Sequence, residues 1–569
     1  LLSAVREDDV RVRATALRAL ATAEDLTATY FLRIADKEPQ LPLRVLALRA
    51  AVAHGGASAA VRYARPDQPP CLRAEVLPVL SLEDAGQRRL VEEALRDADP
   101  LVFHAAVECI ARQAHLRAVE GFPVAFHHGV LVALKRSDRR RELADPGFLK
   151  YFLRNRDPWV RFLAVKWIAD DMVTGCREDL RRIVEKGDPD QRVFVAAAVA
   201  LDRLDGRPPE DRPRPELLLQ ILKNRTANPF ALTYALRLID PHDPRLRLDD
   251  LVALATNHGV LDVRREAILT LAEHPSQDRL DVLASIAGNQ SQPYALRTVA
   301  VAGLAVDAQQ RQDLFVRLLD EILRQEERIE RGDPDAVVRS NPLAAEALRA
   351  FRDEVLRALV GVRLDAPLAD RLQRLSVQVA GRKSIAARSV LEAIRRIREG
   401  APGPRPQATD TEAWLKLADG PGSAESGERV FFGRKVGLCY QCHEIDGRGA
   451  RVGPPLSAIG RRLALQGQHG RRWLLETILQ PSREMAPEYT PWQIVLKDGR
   501  VLIGLPRRKG GTAEAYLGKD GREFTVKKAE MEYHRELRQS LMPEKLLDAL
   551  TVQELRDLFA FLTARAAKN

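Results

Sequence analysis

The residue types best suited to redox or metal chemistry are concentrated in one short stretch. Cys439-Tyr440-Gln441-Cys442-His443 is the only Cys-x-x-Cys-His in the 569-residue chain. On a helical turn, residues i, i+3 and i+4 share one face, so the two thiols and the imidazole lie together. Such thiols can form thioethers with the two vinyl groups of one haem, and the imidazole can ligate its iron. The spacing therefore predicts one covalently bound haem c.

Other chemistries fit this stretch less well. A structural zinc site needs four ligands, and the nearest further candidates, His469 and His534, are unpaired and far apart in the sequence. A thioredoxin-like dithiol needs a βαβ context, which the surrounding sequence does not predict. A disulfide between Cys439 and Cys442 would leave His443 unexplained.

Three segments must position this motif. Residues 426–432 precede it as a short helical run with Gly427 and aromatic residues, and Gly453-Pro454-Pro455-Leu456 follows it. Residues 550–562 form an amphipathic pattern in which Thr551 and Glu554 have the spacing of a capping box. The sequence therefore predicts a helix before the motif, a Gly-Pro loop after it and a second helix near residue 560.

This layout resembles a class I cytochrome c. The resemblance implies that Gly427 allows the first helix to cross the last one closely, near Leu558 and Phe561. It also implies that the carbonyl of Pro454 accepts a hydrogen bond from the ring N–H of His443, which fixes the imidazole.

The sixth iron ligand is predicted from the methionines. Ser540-Leu541-Met542-Pro543 matches the Met-Pro loop of cytochromes, whereas Met485 is the main rival. A thioether ligand raises the reduction potential and closes the iron to added molecules, which favours electron transfer over oxygen or peroxide chemistry. His443 and Met542 are thus the predicted metal ligands, and the cofactor-binding residues are Cys439, Cys442, His443, Gly453, Pro454 and Met542.

The separation of His443 from Met542, 99 residues, exceeds what a compact cytochrome needs. Residues 488–535 account for the excess, because Lys497-Asp498-Gly499-Arg500 and Lys519-Asp520-Gly521 each lie between two apolar runs and predict two hairpins. The expected structure is a four-stranded β insert.

This combination of a c-type motif, an inserted sheet, a Ser-Leu-Met-Pro loop and a Leu-rich last helix resembles the planctomycete/verrucomicrobial-type haem-binding domain over about residues 421–565. In that family the domain often follows HEAT-like repeats and an upstream β-propeller dehydrogenase. The resemblance implies the electron-accepting tail of a larger periplasmic oxidoreductase, and the chain, which opens at Leu1, is expected to be part of such a protein.

The first four hundred residues carry a recurring phrase, an Asp- or Pro-marked turn followed by Val or Leu, Arg and alanines. Asp157-Pro158-Trp159-Val160-Arg161 is one copy, and successive copies mostly start 28 to 40 residues apart. This period resembles HEAT repeats and predicts an α-solenoid. The predicted organisation is a HEAT-like solenoid over 1–400, a Pro/Gly-rich linker over 401–420 and a cytochrome c-like domain over 421–569, in a mainly α protein.

Charge and composition restrict the function classes. The formal net charge is +10. Residues 421–569 hold 25 basic and 18 acidic residues, so they contribute +7 of this net charge. This uneven distribution argues against a nucleic-acid binder. The sequence contains no uninterrupted run of 18 apolar residues, so it predicts no transmembrane helix. Arg461, Arg462, Arg471 and Arg472 are candidates for pairing with haem propionates or an acidic partner, or for a solvated face.

The predicted function is one-electron transfer, with no catalytic site of its own in this segment. The expected partner is a redox protein or a fused dehydrogenase domain, with the solenoid as a docking scaffold, and the expected location is the periplasm or cell surface. Two alternatives remain: a helical-repeat binding scaffold whose haem is a sensor or a structural element, and a peroxidase-like haem enzyme.

Overall fold

The computed structural model describes residues 1–569 except 114–121, 209–211, 225, 332–341, 383, 509 and 565–569. The described chain is mainly helical with one small sheet, as the sequence predicted. It forms two compact units, Leu1–Pro213 and Arg214–Asn569. Among the described residues, no helix has both the length and the apolar character needed to cross a membrane.

The first unit consists of helices joined by short turns, and the second helices of successive pairs stack on one another. This arrangement is that of an α-solenoid. The helices are Val10–Leu20, Ala28–Lys37, Leu41–Ala53, Ala57–Ala60, Pro70–Val76, Ala85–Ala94, Pro100–Arg112, His127–Arg136, Arg140–Leu143, Pro146–Leu153, Pro158–Asp170, Arg177–Lys186 and Gln191–Leu204.

The recurring phrase marks helix starts, as predicted. The Asp99 side chain accepts a hydrogen bond from the Leu101 amide, and Asp157 accepts one from the Trp159 amide. In both helices a proline follows in the first turn, where its missing N–H costs nothing. In these two copies, the phrase therefore encodes a capped helix N-terminus, whereas the helices Leu41–Ala53, Pro70–Val76, Leu261–Leu271 and Tyr294–Leu304 start without a side-chain cap.

The arginine of the phrase has a role that the pattern alone did not indicate. Arg161 forms a bidentate ion pair with Asp188, 27 residues further on, and Arg73 pairs with Asp97. In each case the arginine of one repeat binds the acidic turn of the next. These pairs therefore link successive repeats.

The second unit contains its own series of stacked repeat helices, followed by a region of different character. Its repeat helices are Pro215–Lys223, Pro229–Leu238, Leu248–Asn257, Leu261–Leu271, Arg279–Gly288, Tyr294–Leu304, Gln312–Glu330, Pro342–Ala358, Ala366–Ala380 and Ile385–Glu399. Its later helices are Thr411–Ala418, Ala424–Phe431, Ile459–Leu465, His469–Leu479 and Val552–Ala564.

The predicted linker contains a helix. The repeat region ends at Gly400, which caps the last repeat helix in the left-handed conformation with φ 80°. Thr411–Ala418 is helical, and its Trp414 is buried in a core shared with Val430, Leu475 and Phe559. Residues 411–418 are thus part of the C-terminal core.

The inserted sheet has five strands, and the prediction of four was wrong. β1 (Trp492–Leu496), β2 (Val501–Arg508), β3 (Ala513–Leu517) and β4 (Glu523–Lys527) lie where the hairpin signals placed them. β5 (Met531–Glu536) pairs antiparallel with β1, giving the order β4-β3-β2-β1-β5. β5 is mostly exposed and pairs with β1 instead of its sequence neighbour β4, so no hairpin signal marks it.

Candidate functional site

The helices Ala424–Phe431 and Val552–Ala564 cross at Gly427. A methyl group on Gly427 would lie 2.7 Å from Cβ of Phe561 and well inside contact distance of the Asp557 carbonyl oxygen. The Ser423 amide, just before this helix, donates to the Asp557 carboxylate at 2.8 Å. The close crossing expected at Gly427 is therefore present, and Phe431 and Phe561 rings pack beside it.

The Cys-x-x-Cys-His motif begins in a tight helical turn. Cys439–Gln441 is a 3-10 turn, and the His443 amide donates to the Cys439 carbonyl at 2.9 Å. Leu438 precedes it in the left-handed conformation, with φ 57°. Both cysteines are free thiols, and burial raises the pKa of Cys439 to about 12. The turn thus places the first thiol one turn before the imidazole.

The orientation of His443 is fixed by the Gly-Pro loop. Its ring Nδ1 lies 2.9 Å from the Pro454 carbonyl oxygen. A carbonyl can only accept, so Nδ1 carries the proton and Nε2 keeps a free lone pair. Burial lowers the pKa of His443, which favours this neutral form. An imidazole in this state is the form that ligates iron.

Gly453 is needed because it lies against the imidazole. A methyl group on Gly453 would approach Cε1 of the His443 ring to 2.5 Å, too close for any side chain. The Gly453 amide donates to the Cys442 carbonyl at 2.7 Å, which closes the loop onto the motif. Gly453 and Pro454 therefore lie together at the imidazole.

Cys439, His443 and Met542 line one cavity of about 300 Å³. Its walls are almost entirely apolar, and they come from the segments that sequence analysis identified and from elements that it did not, chiefly the helices Ile459–Leu465 and His469–Leu479. Further lining residues are Phe431, Pro454, Leu456, Ile459, Trp473, Leu474, Ile478, Leu547, Leu550, Leu558 and Leu562. The apolar residues at 474, 475, 478 and 479 have helical spacing, so periodicity could have found this wall.

The three methionines of the C-terminal region have different surroundings. Met542 lines the cavity with His443, and its amide donates to the Ser540 hydroxyl at 3.1 Å. Met531 packs on the core of the sheet, and Met485 is not among the cavity-lining residues. The geometry thus favours Met542 over Met485 as a sulfur donor.

The sheet covers the other side of the motif. Leu505 of β2 and Leu517 of β3 form a small apolar cluster with Val452, and Cys442 packs against it. Tyr489 and Leu541 also contact this cluster. The insert therefore supports the second thiol and the loop that carries Met542.

The four arginines singled out by sequence fall into two groups. Arg462 lines the cavity, with its guanidinium 4.7 Å from the centre of the Trp473 ring, and Arg461 is exposed beside it. Arg471 donates to the Ala418 carbonyl, and Arg472 pairs with Glu412 and Glu476. Arg462 is therefore the arginine placed to meet an anionic group in the cavity.

These residues fit a haem c. The Cys439 thiol and a neutral imidazole line an apolar cavity together with a Met sulfur and one arginine. Cys442 has the attachment spacing but packs against the cluster of Val452, Leu505 and Leu517 instead of lining the cavity. The lack of a side chain at Gly453 allows the loop to pack directly against the imidazole. Within the described ranges, no group of three or more His, Cys, Asp or Glu side chains is arranged to hold a metal ion.

Comparison with known proteins adds only a distant likeness. No family model matches the chain, and no curated protein matches it. Among solved structures, it is similar to a chain from "Structure of the Pds5-Scc1 complex and implications for cohesin function". The identity is 12%, the match covers 84% of this chain and 77% of that chain, and the TM-score is 0.22.

Proposed function

We propose that residues 421–569 form a c-type cytochrome domain that transfers one electron, on a support of HEAT-like repeats. The observation that carries this proposal is the cavity in which Cys439, His443 and Met542 come together. When bound, a haem supplies an iron centre that gains and loses one electron. Its attachment would use the thiols of Cys439 and Cys442.

The protein groups would set the properties of that centre. The Pro454 carbonyl holds the His443 ring through Nδ1, which orients Nε2 and makes the ligand more basic. Met542 would supply a thioether ligand, and a His/Met ligand pair raises the potential. The apolar walls keep water out of the cavity, which also favours the less charged, reduced state.

The position of Met542 favours electron transfer over the alternatives. A peroxidase-like enzyme needs an open iron position, whereas Met542 lies in the same cavity as His443. A sensor or a purely structural haem is the second candidate, and it is distinguished by the absence of redox exchange with a partner. We propose that the partner is a redox protein or a fused dehydrogenase domain of a larger periplasmic or cell-surface protein, docked through the repeats.

The direct test is covalent attachment. Protein produced in a host that matures c-type cytochromes is expected to gain the mass of one haem, located by peptide mass spectrometry at Cys439 and Cys442. The variant with both Cys439→Ala and Cys442→Ala should lose it, whereas Cys71→Ala, at a free thiol in the repeats, should keep it. Bare polypeptide at 439–443 in the unsubstituted protein would refute the proposal.

A second prediction concerns Met542. Met542→Ala is expected to allow carbon monoxide to bind the reduced protein and to lower its reduction potential by about 0.1 V or more, because axial ligation sets potentials over a wide range. The matched control is Met485→Ala, which changes a methionine outside the cavity lining. Absorption spectra with and without carbon monoxide provide the measurement. Identical spectra and potentials for Met542→Ala and the parent exclude Met542 as the ligand.

A further inference from the structure

One helix of the repeat region presents a polar stripe to the Cys-x-x-Cys-His segment. Glu266 and Thr270 lie on helix Leu261–Leu271, and Glu273 follows two residues after its end. Their spacing of four and three residues places them along one side of the helix. Glu266 and Thr270 contact Arg448, and Glu273 contacts Arg434. The stripe is therefore covered by arginines of the C-terminal region of the same chain.

The strongest contact is between Glu266 and Arg448. An Nη atom of Arg448 donates to the Glu266 carboxylate at 2.9 Å and to the Thr270 hydroxyl at 3.3 Å. The side chains are 3% exposed for Glu266 and 8% exposed for Arg448. Although burial opposes ionisation, Arg237, Arg448 and Arg265 together lower the pKa of Glu266 to about 2. The carboxylate is therefore charged at neutral pH.

A second contact holds the start of the segment. Arg434 pairs with Glu273 at 3.2 Å, and its guanidinium lies 5.8 Å from the centre of the Tyr440 ring. Tyr440 is the residue after the first cysteine of the motif, and its ring also packs near Phe432. The helix stripe thus reaches the motif from both of its ends.

Arg448 is rigidly connected to His443. Ile445 and Arg448 exchange backbone hydrogen bonds of 2.9 and 3.0 Å around Asp446 and Gly447, which both have positive φ. This is a two-residue turn of the Asp-Gly type. Gly449 follows with φ +101° and packs so closely on the His443 carbonyl that a side chain would collide with it. A displacement of Arg448 therefore displaces the backbone of His443.

We infer that Glu266 and Glu273 are positioning residues of the haem site, through which the repeat region sets the placement of the segment 434–448. This inference deepens the proposed function and rests on it for its redox consequence. The contacts themselves belong to the polypeptide and can be tested without cofactor.

The first experiment measures hydrogen exchange in the full-length protein before haem attachment. In Glu266→Gln, the Ala450 and Gly453 amides, which donate to the Tyr440 and Cys442 carbonyls, should exchange about tenfold faster, because a charge-assisted bond is replaced by a neutral one. Glu321→Gln removes a buried ion pair to Arg297 inside the repeats and should leave both amides unchanged.

A second variant keeps the test open if Glu266→Gln folds poorly. Glu273 is 26% exposed, so Glu273→Gln should fold normally and still speed exchange around Tyr440. Unchanged exchange at residues 439–453 in both glutamate variants would overturn the inference.

The second experiment measures the reduction potential of the haem-loaded protein. Glu266→Gln removes a negative charge and should raise the potential, because the reduced iron carries one positive charge fewer; Glu321→Gln should leave it unchanged. Equal reduction potentials for Glu266→Gln and the parent would contradict the inference that Glu266 affects the haem site. If no haem is attached at all, the proposed function fails, and the exchange experiment alone decides whether the two glutamates position the segment.

Discussion

Gly427→Ala is expected to lower the free energy of unfolding of the second unit by about 3 kcal/mol. The added methyl would overlap the Asp557 carbonyl oxygen and press on Phe561, so the two crossing helices must move apart. Neither contact is with the flexible end of a side chain, and hence little relief is available. The helix Val552–Ala564 would lose packing against Val430 and Phe431.

Urea unfolding followed by circular dichroism measures this loss. Gly381→Ala is the matched control, because Gly381 has a negative φ of −76° and a methyl there meets nothing within 4 Å. Its effect should stay within about 1 kcal/mol. A Gly427→Ala protein as stable as the control would show that the helices do not cross at this residue.

Glu554→Gln is expected to cost about 3–5 kcal/mol, because it leaves the buried Arg396 guanidinium without a carboxylate and Arg357 with Glu354 alone. Glu554 accepts from Nη1 of Arg396 at 2.6 Å and from Nε of Arg357 at 3.0 Å. The Arg396 side chain is only 1% exposed. These pairs join the last helix to the repeat helices Pro342–Ala358 and Ile385–Glu399.

The same variant should change the response to acid. Arg396 and Arg357 lower the pKa of Glu554 to about 2, from its ordinary 4.5, despite the opposing effect of burial. A lowered pKa in the folded state means that the stabilisation is complete above pH 4.5 and disappears as the pH falls towards 2. In Glu554→Gln, the unfolding free energy should therefore fall less steeply over this range.

Glu425→Gln provides the control for both measurements. Glu425 also pairs with an arginine, Arg429, but its side chain is 67% exposed, and such pairs contribute little. Its unfolding free energy should match the parent within about 1 kcal/mol. If Glu554→Gln were no less stable than Glu425→Gln, the buried pairs would not hold the last helix.

Local chemistry made much of this structure predictable. The Cys439–His443 spacing, the Asp-Pro helix starts and the hairpin signals each depend on a few neighbouring residues. The capping box at Thr551 was also predicted, and it is confirmed: the Thr551 amide donates to Glu554 and the Glu554 amide donates to Thr551. The haem and its electron transfer stay predictions.

Contacts between distant residues could not be predicted in the same way. Arg448 and Glu266 are 182 residues apart, and nothing near either residue indicates its partner. β5 was missed because its partner in the sheet is β1, a strand distant in sequence, and no hairpin signal joins the two. Trp414 was assigned to a linker because the Pro/Gly-rich stretch before it masked a short helix.

The place of the last helix has a consequence for the order of events during synthesis. Leu555, Leu558, Phe559 and Leu562 complete a core whose other members, apart from Leu547, Leu550 and Phe561, lie more than seventy residues earlier. Leu558 and Leu562 also line the cavity that contains Cys439, so this cavity lacks a wall until residues 552–564 dock. Enclosure of the Cys439 thiol is therefore a late event, because it depends on a helix that is synthesised after the other members of that core.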